Sequence, residues 1–201
     1  TRLGSFILGD IGLSVLQYSI PDWFYEGDAI YSETIFTESG RGRSSNFSLP
    51  LRTILLTDQK FNYSQAYLRS YKRFYPNHYY LGYYMVSYIN RNYGTEVWNS
   101  VLNRTSTFSY WPFAFSRSLK KYTGSNIRKT YKNAMYELDS LFTQQIDNLE
   151  ITDAKIINTE KIIWQTYFDC EFQNNETIIG LKYDYSTNNV LFKTDLNGNE
   201  T

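Results

Sequence analysis

The feature that most constrains this chain is a change of hydrophobic period near residue 150. Up to about Asn148 apolar residues recur at spacings of three and four, which lays them along helix faces. After "EITDAK" the pattern becomes short β-branched runs with alternation, "KIIWQTYFDCEF", "ETIIGLKYDYS" and "NNVLFKTDLNGNE". Turn signals stand at Asn174-Asn175, Asn188-Asn189 and Asn197-Gly198. A helix period and a strand period cannot serve the same element, so helices come first and hairpins last. The expected fold class is α+β, with a helical part over 1–150 and an antiparallel β segment over 151–201 that starts from about Lys155. Three strands with unpaired edges make a poor independent unit. Lys161 to Thr201 are therefore expected to pair with strands outside this chain, or to be only partly ordered.

Within the helical part, Asp22 is placed as a cap with Pro21 just outside it, opening a helix that runs to about Phe36. "TESGRGRSSNFS" (Thr37 to Ser48) reads as a long polar loop, and "LPLRTILLTDQ" as a short helix or extended piece. A helix over Ser64 to Phe74 is expected to stop before Pro76. The strongest helix is "NHYYLGYYMVSYINRNYG", with Tyr79, Tyr83, Val86 and Tyr93 near one face and Tyr80, Tyr84 and Tyr88 as a second stripe. Gly94 closes it, and Thr95 caps the next helix, "EVWNSVLNR". "WPFAFSRSLKKYTG" ends at Gly124, and Ser125 caps a last helix reaching about Asn148.

Twenty Lys and Arg balance twenty Asp and Glu. The chain as a whole therefore has no net field for nucleic acid or an anionic membrane. No run of about 18 apolar residues is present to span a bilayer. Cys170 is the single cysteine, which excludes an intrachain disulfide framework and a cysteine zinc site. The 20 Tyr and 13 Phe suit wet clefts and interfaces as well as cores, because a tyrosine has an apolar body and a polar tip.

The chemistry begins in "PDWFYEGDAIYSET" (Pro21 to Thr34). Glycine inside a helix costs roughly 1 kcal/mol relative to alanine, so Gly27 beside Glu26 needs a close approach by another backbone or a metal ligand. Trp23, Glu26 and Gly27 form W-x-x-E-G, continued by Ala29 and Tyr31. This pattern resembles the second helix of gluzincin zinc peptidases, where its Glu is the third metal ligand after an H-E-x-x-H helix. Tyr79 and Gly82 match a Tyr-x-x-Gly that opens a later helix in several gluzincin families. There the tyrosine hydroxyl stabilises an oxyanion; Tyr80 and His78 are neighbours that would do the same work. The β-rich tail resembles the start of a TolB-like propeller, as in bacterial envelope proteins that join such a propeller to a peptidase domain.

The resemblance implies a C-terminal gluzincin-like part over 1–150 and the opening of a truncated propeller-like domain over 151–201. It implies Glu26 as a zinc ligand and Tyr79 as the oxyanion donor. Glu33 would orient a ligating histidine, or is an ordinary surface carboxylate. Arg41 and Arg43 would hold a substrate carboxylate by forked hydrogen bonds, or belong to a solvated basic loop. This chain has no H-E-x-x-H and a single histidine, His78, so zinc is expected only with ligands from outside it. The expected partner is a peptide or protein substrate at the bacterial envelope, periplasmic or outer-membrane associated. The alternative is an inactive peptidase-like scaffold or binding subunit of an envelope complex. The face of Glu26, Ile30 and Glu33 is expected to look into a cleft shared with Tyr79, and the helix against Gly27 to carry the metal histidines.

Overall fold

Apolar residues at helical spacing form a set of helices, and the alternating runs form a separate sheet. The computed structural model of the chain describes residues 15, 17–57, 59–70, 73–150, 152–157, 165–184 and 188–200. The fold is α+β. It divides into a helical unit, up to Leu68 and Pro76–Asn148, and a second unit made of Arg69–Tyr75 and the chain from Leu149 on.

The helical unit contains α1 (Asp22–Phe36), a 3-10 turn (Arg41–Arg43), α2 (Ser45–Leu56), α3 (Tyr63–Leu68), α4 (His78–Tyr93), α5 (Val97–Thr107), α6 (Ala114–Thr123) and α7 (Ile127–Asp147). Helix α4 is central, since half of its residues are buried: Leu81, Gly82, Tyr84, Met85, Val86, Ser87, Ile89 and Asn90. Of the tyrosine stripes expected there, Tyr84 is buried with Val86 and Tyr83 and Tyr88 pack against the core, beside an inward row of Leu81, Met85 and Ile89. Tyr79 and Tyr93 lie outside, where the phenol tips keep their contact with water. Around α4 pack Trp23 and Phe24 of α1, Leu51 and Leu55 of α2, Trp98 and Val101 of α5, Phe115 and Leu119 of α6, and Leu138 and Phe142 of α7. The indole N–H groups in this core are satisfied: Trp23 Nε1 donates to Tyr63 Oη at 3.1 Å and Trp98 Nε1 to Asn90 Oδ1 at 2.7 Å. Burial pushes the Tyr63 and Tyr131 phenols up to about 12, so both stay neutral.

Helix boundaries differ from expectation where a local hydrogen bond decides. Pro21, not Asp22, stands at the cap of α1, and Asp22 sits in the first turn, where its charge faces the positive end of the helix dipole. Asn77 caps α4 by accepting from the Tyr79 and Tyr80 amides at 3.0 and 3.3 Å. Asn126 rather than Ser125 caps α7, accepting from the Lys129 amide at 2.9 Å. Glu96 rather than Thr95 precedes α5. Helix α3 stops at Leu68, well short of Phe74, because Arg69 takes a left-handed φ of 64°. "LPLRTILL" is helix, despite Pro50 inside it. Gly94 and Gly124 close α4 and α6 at φ 77° and 74°, as their positions require.

In the second unit, β1 (Gln165–Asn174), β2 (Thr177–Asp184) and β3 (Val190–Asp195) form an antiparallel sheet in that order. Its register pairs Phe168 with Leu181 and Gly180 with Phe192. A bulge between Phe168 and Glu171 holds Asp169 at φ 51°. The Gly180 position is crowded: a Cβ there would lie 2.9 Å from both Cys170 Sγ and Phe192 Cε1. Tyr167 meets the buried Phe192 edge-on at 5.1 Å, and its hydroxyl donates to Glu200 at 2.9 Å. Glu200 also pairs with Lys182. The Asn197-Gly198 turn is held by Asp195 Oδ1, which accepts from the Asn197 and Asn199 amides at 2.8 and 3.0 Å. Among the described residues β1 keeps one edge without a partner strand, and the outer edge of β3 meets only the Thr194–Glu200 bridge. The expectation for residues 158–164 lies outside the described residues.

Candidate functional site

Gly27 of α1 and Gly82 of α4 lie against each other. A Cβ on Gly27 would fall 2.1 Å from the Gly82 carbonyl carbon, and a Cβ on Gly82 would fall 1.9 Å from the Trp23 carbonyl oxygen. Both obstacles are backbone, which cannot rotate away, so two helix backbones cross here at a distance only glycine permits. The expected close approach at Gly27 is therefore present. Its partner, however, is α4 of this chain, and the histidine on that helix is His78.

The crossing fixes what stands beside it. Glu26 precedes Gly27 and is half-buried; it makes no hydrogen bond or ion pair with any described residue. Tyr79 is one turn before Gly82 and 37% exposed. Beside Tyr79 lies Arg41, whose guanidinium carbon is 5.6 Å from the Tyr79 ring centroid. Arg41 is tied to Glu33 three ways: its backbone amide reaches Oε1 at 3.0 Å, and Nε and Nη2 reach Oε2 at 2.8 and 2.7 Å. The bond to Glu33 holds the Arg41 guanidinium firmly charged, and the nearby Tyr79 and Glu26 groups add to that. The structure thus joins Glu33, Arg41 and Tyr79 by direct contacts, with Glu26 near enough to add to the charge on Arg41.

Arg43 is engaged elsewhere. Its Nη2 donates to the Thr34 carbonyl at 2.6 Å, at the negative end of α1. His78 stacks on Tyr67 at 5.3 Å and its Nε2 lies 3.3 Å from the Tyr67 carbonyl oxygen. Tyr80 packs on Phe47 at 4.6 Å. Of the three adjacent side chains at the start of α4, only Tyr79 faces Arg41.

The loop after α1 is ordered rather than free. Gly40 would place a Cβ 2.3 Å from Thr34 Cα, and Gly42 would place one 2.4 Å from the Tyr83 ring. The Gly42 amide donates to Thr34 Oγ1 at 3.0 Å. Gly40, Gly42 and Thr34 therefore press the arginine turn onto α1; the G-x-G spacing in "SGRGRSS" is the signal for it, and the reading of that stretch as a long polar loop passes over it.

The Arg41 hydrogen bonds hold the Glu33 carboxyl below the usual carboxylate range. The unfolded chain then takes up a proton before the folded chain does, so this contribution is present above the ordinary carboxylate pKa and is lost as pH falls through the lowered one. Melting curves from about pH 6 down to pH 3 are expected to fall slightly more steeply for the wild type than for Glu33→Gln. The difference is small because the pair is on the surface. Burial has the opposite effect on Asp28, whose carboxyl it raises.

The expected cleft takes a different form. Ile30 is fully buried in the core rather than lining a cleft, because the α1–α4 crossing closes over it. Two hollows of about 760 and 920 Å³ lie elsewhere in the helical unit, and neither is lined by Glu26, Glu33 or Tyr79. Among the described residues no three His, Cys, Asp or Glu side chains gather as a metal site. Glu33 is bound to Arg41, so the cluster fits zinc only through one open carboxylate, Glu26, on a rigid helix. No helix among the described residues is long and apolar enough to cross a membrane. Comparison with protein-family models, curated proteins and solved structures finds no match to this chain.

Proposed function

We propose that the helical unit is the C-terminal part of a gluzincin-like zinc peptidase domain of the bacterial envelope, acting on peptide bonds, and that the sheet opens a propeller-like domain. One observation carries this reading. The glycines of W-x-x-E-G and Y-x-x-G, far apart in sequence, touch each other, so the two motifs are two sides of one helix crossing. That crossing explains both glycines and leaves Glu26 and Tyr79 near one arginine.

In this reading Glu26 would hold a zinc ion together with ligands from outside this chain, and the ion would supply Lewis-acid chemistry that lets a bound water give up its proton and act as a hydroxide nucleophile. Tyr79 donates a hydrogen bond from its hydroxyl to the carbonyl oxygen as negative charge grows on it. The exposed edge of Arg41 not engaged by Glu33 takes a substrate carboxylate, and Glu33 orients that guanidinium. Arg43 keeps the end of α1 in place. A second reading, a catalytically inactive scaffold, is favoured by the same fork: Arg41 already offsets the charge of Glu33, which suits a docking surface equally well.

Metal analysis separates the two. In the full-length protein, Glu26→Gln is expected to weaken zinc binding at least about tenfold, since a neutral amide is a much poorer ligand than a carboxylate. A full-length wild type that takes up no zinc when purified with zinc present ends the peptidase reading and leaves the scaffold.

A further inference from the structure

The overall balance of 20 cations and 20 anions hides a strong local imbalance. Between Glu96 and Glu137 there is no acidic residue, while Arg104, Arg117, Lys120, Lys121, Arg128, Lys129 and Lys132 all fall there. The same stretch contains the aromatic segment "FSYWPF", which joins α5 to α6. Tyr110, Trp111 and Phe113 are 68%, 43% and 79% exposed, an arrangement that leaves large apolar rings in water.

Phe113 is held at φ 59°, a left-handed conformation that a bulky residue seldom adopts. No packing accompanies that strain, because the ring points out. Backbone strain together with exposed apolar surface marks a contact made elsewhere. The rings stand on the rim of the hollow of about 920 Å³, with Tyr18, Arg117 and Lys120 beside them and no carboxylate among its lining residues. The partner must therefore be anionic and must also accept apolar rings.

A bilayer surface of acidic phospholipid meets both demands. Tyr and Trp settle at the headgroup level, Phe reaches the acyl boundary, and Arg and Lys meet the phosphates. A single-stranded nucleic acid also combines charge with stacking, but it needs free ring faces in series. Here Arg104 lies 4.6 Å over Phe108 and Arg117 lies 5.8 Å over Trp111. Tyr110 meets Trp111 edge-on at 6.2 Å. Faces covered by guanidinium, and rings set at right angles, serve lipid rather than stacked bases.

We propose that the Tyr110–Phe113 loop, ringed by Arg104, Arg117 and Lys120, seats this protein on an anionic phospholipid surface. The contact is independent of the Glu26 cluster. Co-sedimentation of the 201-residue chain with phosphatidylglycerol vesicles and with phosphatidylcholine vesicles tests it directly. Binding is expected on the first and not on the second. Arg117→Gln with Lys120→Gln is expected to lower it roughly 30-fold, about fivefold per cation removed. Trp111→Ala with Phe113→Ala, which keeps every charge, is expected to lower it about tenfold or more. All these side chains are exposed, so unchanged melting of each variant shows that folding is not the cause. Binding of both vesicle types alike, binding of neither, or full retention by the Trp111/Phe113 variant overturns the proposal. Tighter binding to a single-stranded oligonucleotide than to phosphatidylglycerol overturns it too, in favour of nucleic acid.

Discussion

Gly82→Ala is expected to destabilise the helical unit by about 3 kcal/mol or more, at the top of the range for overpacking a core. The added methyl would stand 1.9 Å from the Trp23 carbonyl oxygen and 2.8 Å from Gly27 Cα. Neither atom belongs to a flexible side chain, so relief requires α1 and α4 to move apart. That movement loosens Trp23, Met85, Val86 and Ile89, all fully buried. For a unit of this size the loss corresponds to a fall in Tm of roughly 6 to 12 °C. Gly124→Ala provides the contrast. Nothing lies within 4 Å of a Cβ there, but φ is 74° and ψ -6°, so only the strain of a left-handed alanine applies, about 1 kcal/mol. Thermal melts of the two variants should therefore differ several-fold in their effect. Equal shifts would mean that the crossing is not the source of the constraint.

The α+β order was legible because two different periods occupy two different stretches. The sheet order followed from its Asn-rich turns, and the helix ends marked by Gly94 and Gly124 stand where the residues placed them. Boundaries governed by single hydrogen bonds were less legible. Asn126 and Ser125 are both good caps, and only the bond from the Lys129 amide at 2.9 Å separates them. Nothing in "SQAYLRSYKRF" announces that Arg69 turns left-handed and ends α3 early. The tyrosines of α4 divide for a physical reason: Leu81, Met85 and Ile89, with no hydroxyl to satisfy, fill the core beside Tyr84, while Tyr79 and Tyr93 keep their phenol tips in water.

The site was legible in part. Gly27 declared itself by its cost within a helix, and Gly82 by its spacing from Tyr79, but no single-residue signal links the two. Only the fold makes them neighbours. Glu33 and Arg41 were each identified; their union was not, since it depends on Gly40 and Gly42 letting the turn lie flat on α1. Arg43 looked equivalent to Arg41 in sequence. The turn sends one to a carboxylate and the other to the Thr34 carbonyl. The basic, aromatic stretch from Arg104 to Lys132 was concealed by a whole-chain charge balance, which averages over the very asymmetry that a surface would feel.

The central claim is that the Gly27–Gly82 crossing presents the Tyr79 hydroxyl to a reacting carbonyl. Tyr79→Phe removes one hydroxyl from a residue 37% exposed, so it should leave folding intact. It also leaves Glu26 untouched, so zinc should remain. What it takes away is a hydrogen bond that strengthens only in the transition state, and such a loss lowers kcat rather than substrate binding. The decisive measurement is kcat for peptide hydrolysis by the full-length protein, wild type against Tyr79→Phe, with zinc content determined on the same samples. The account predicts equal zinc, nearly equal KM and a kcat lower by about 10² in the variant. A Tyr79→Phe enzyme that turns over at the wild-type rate contradicts it.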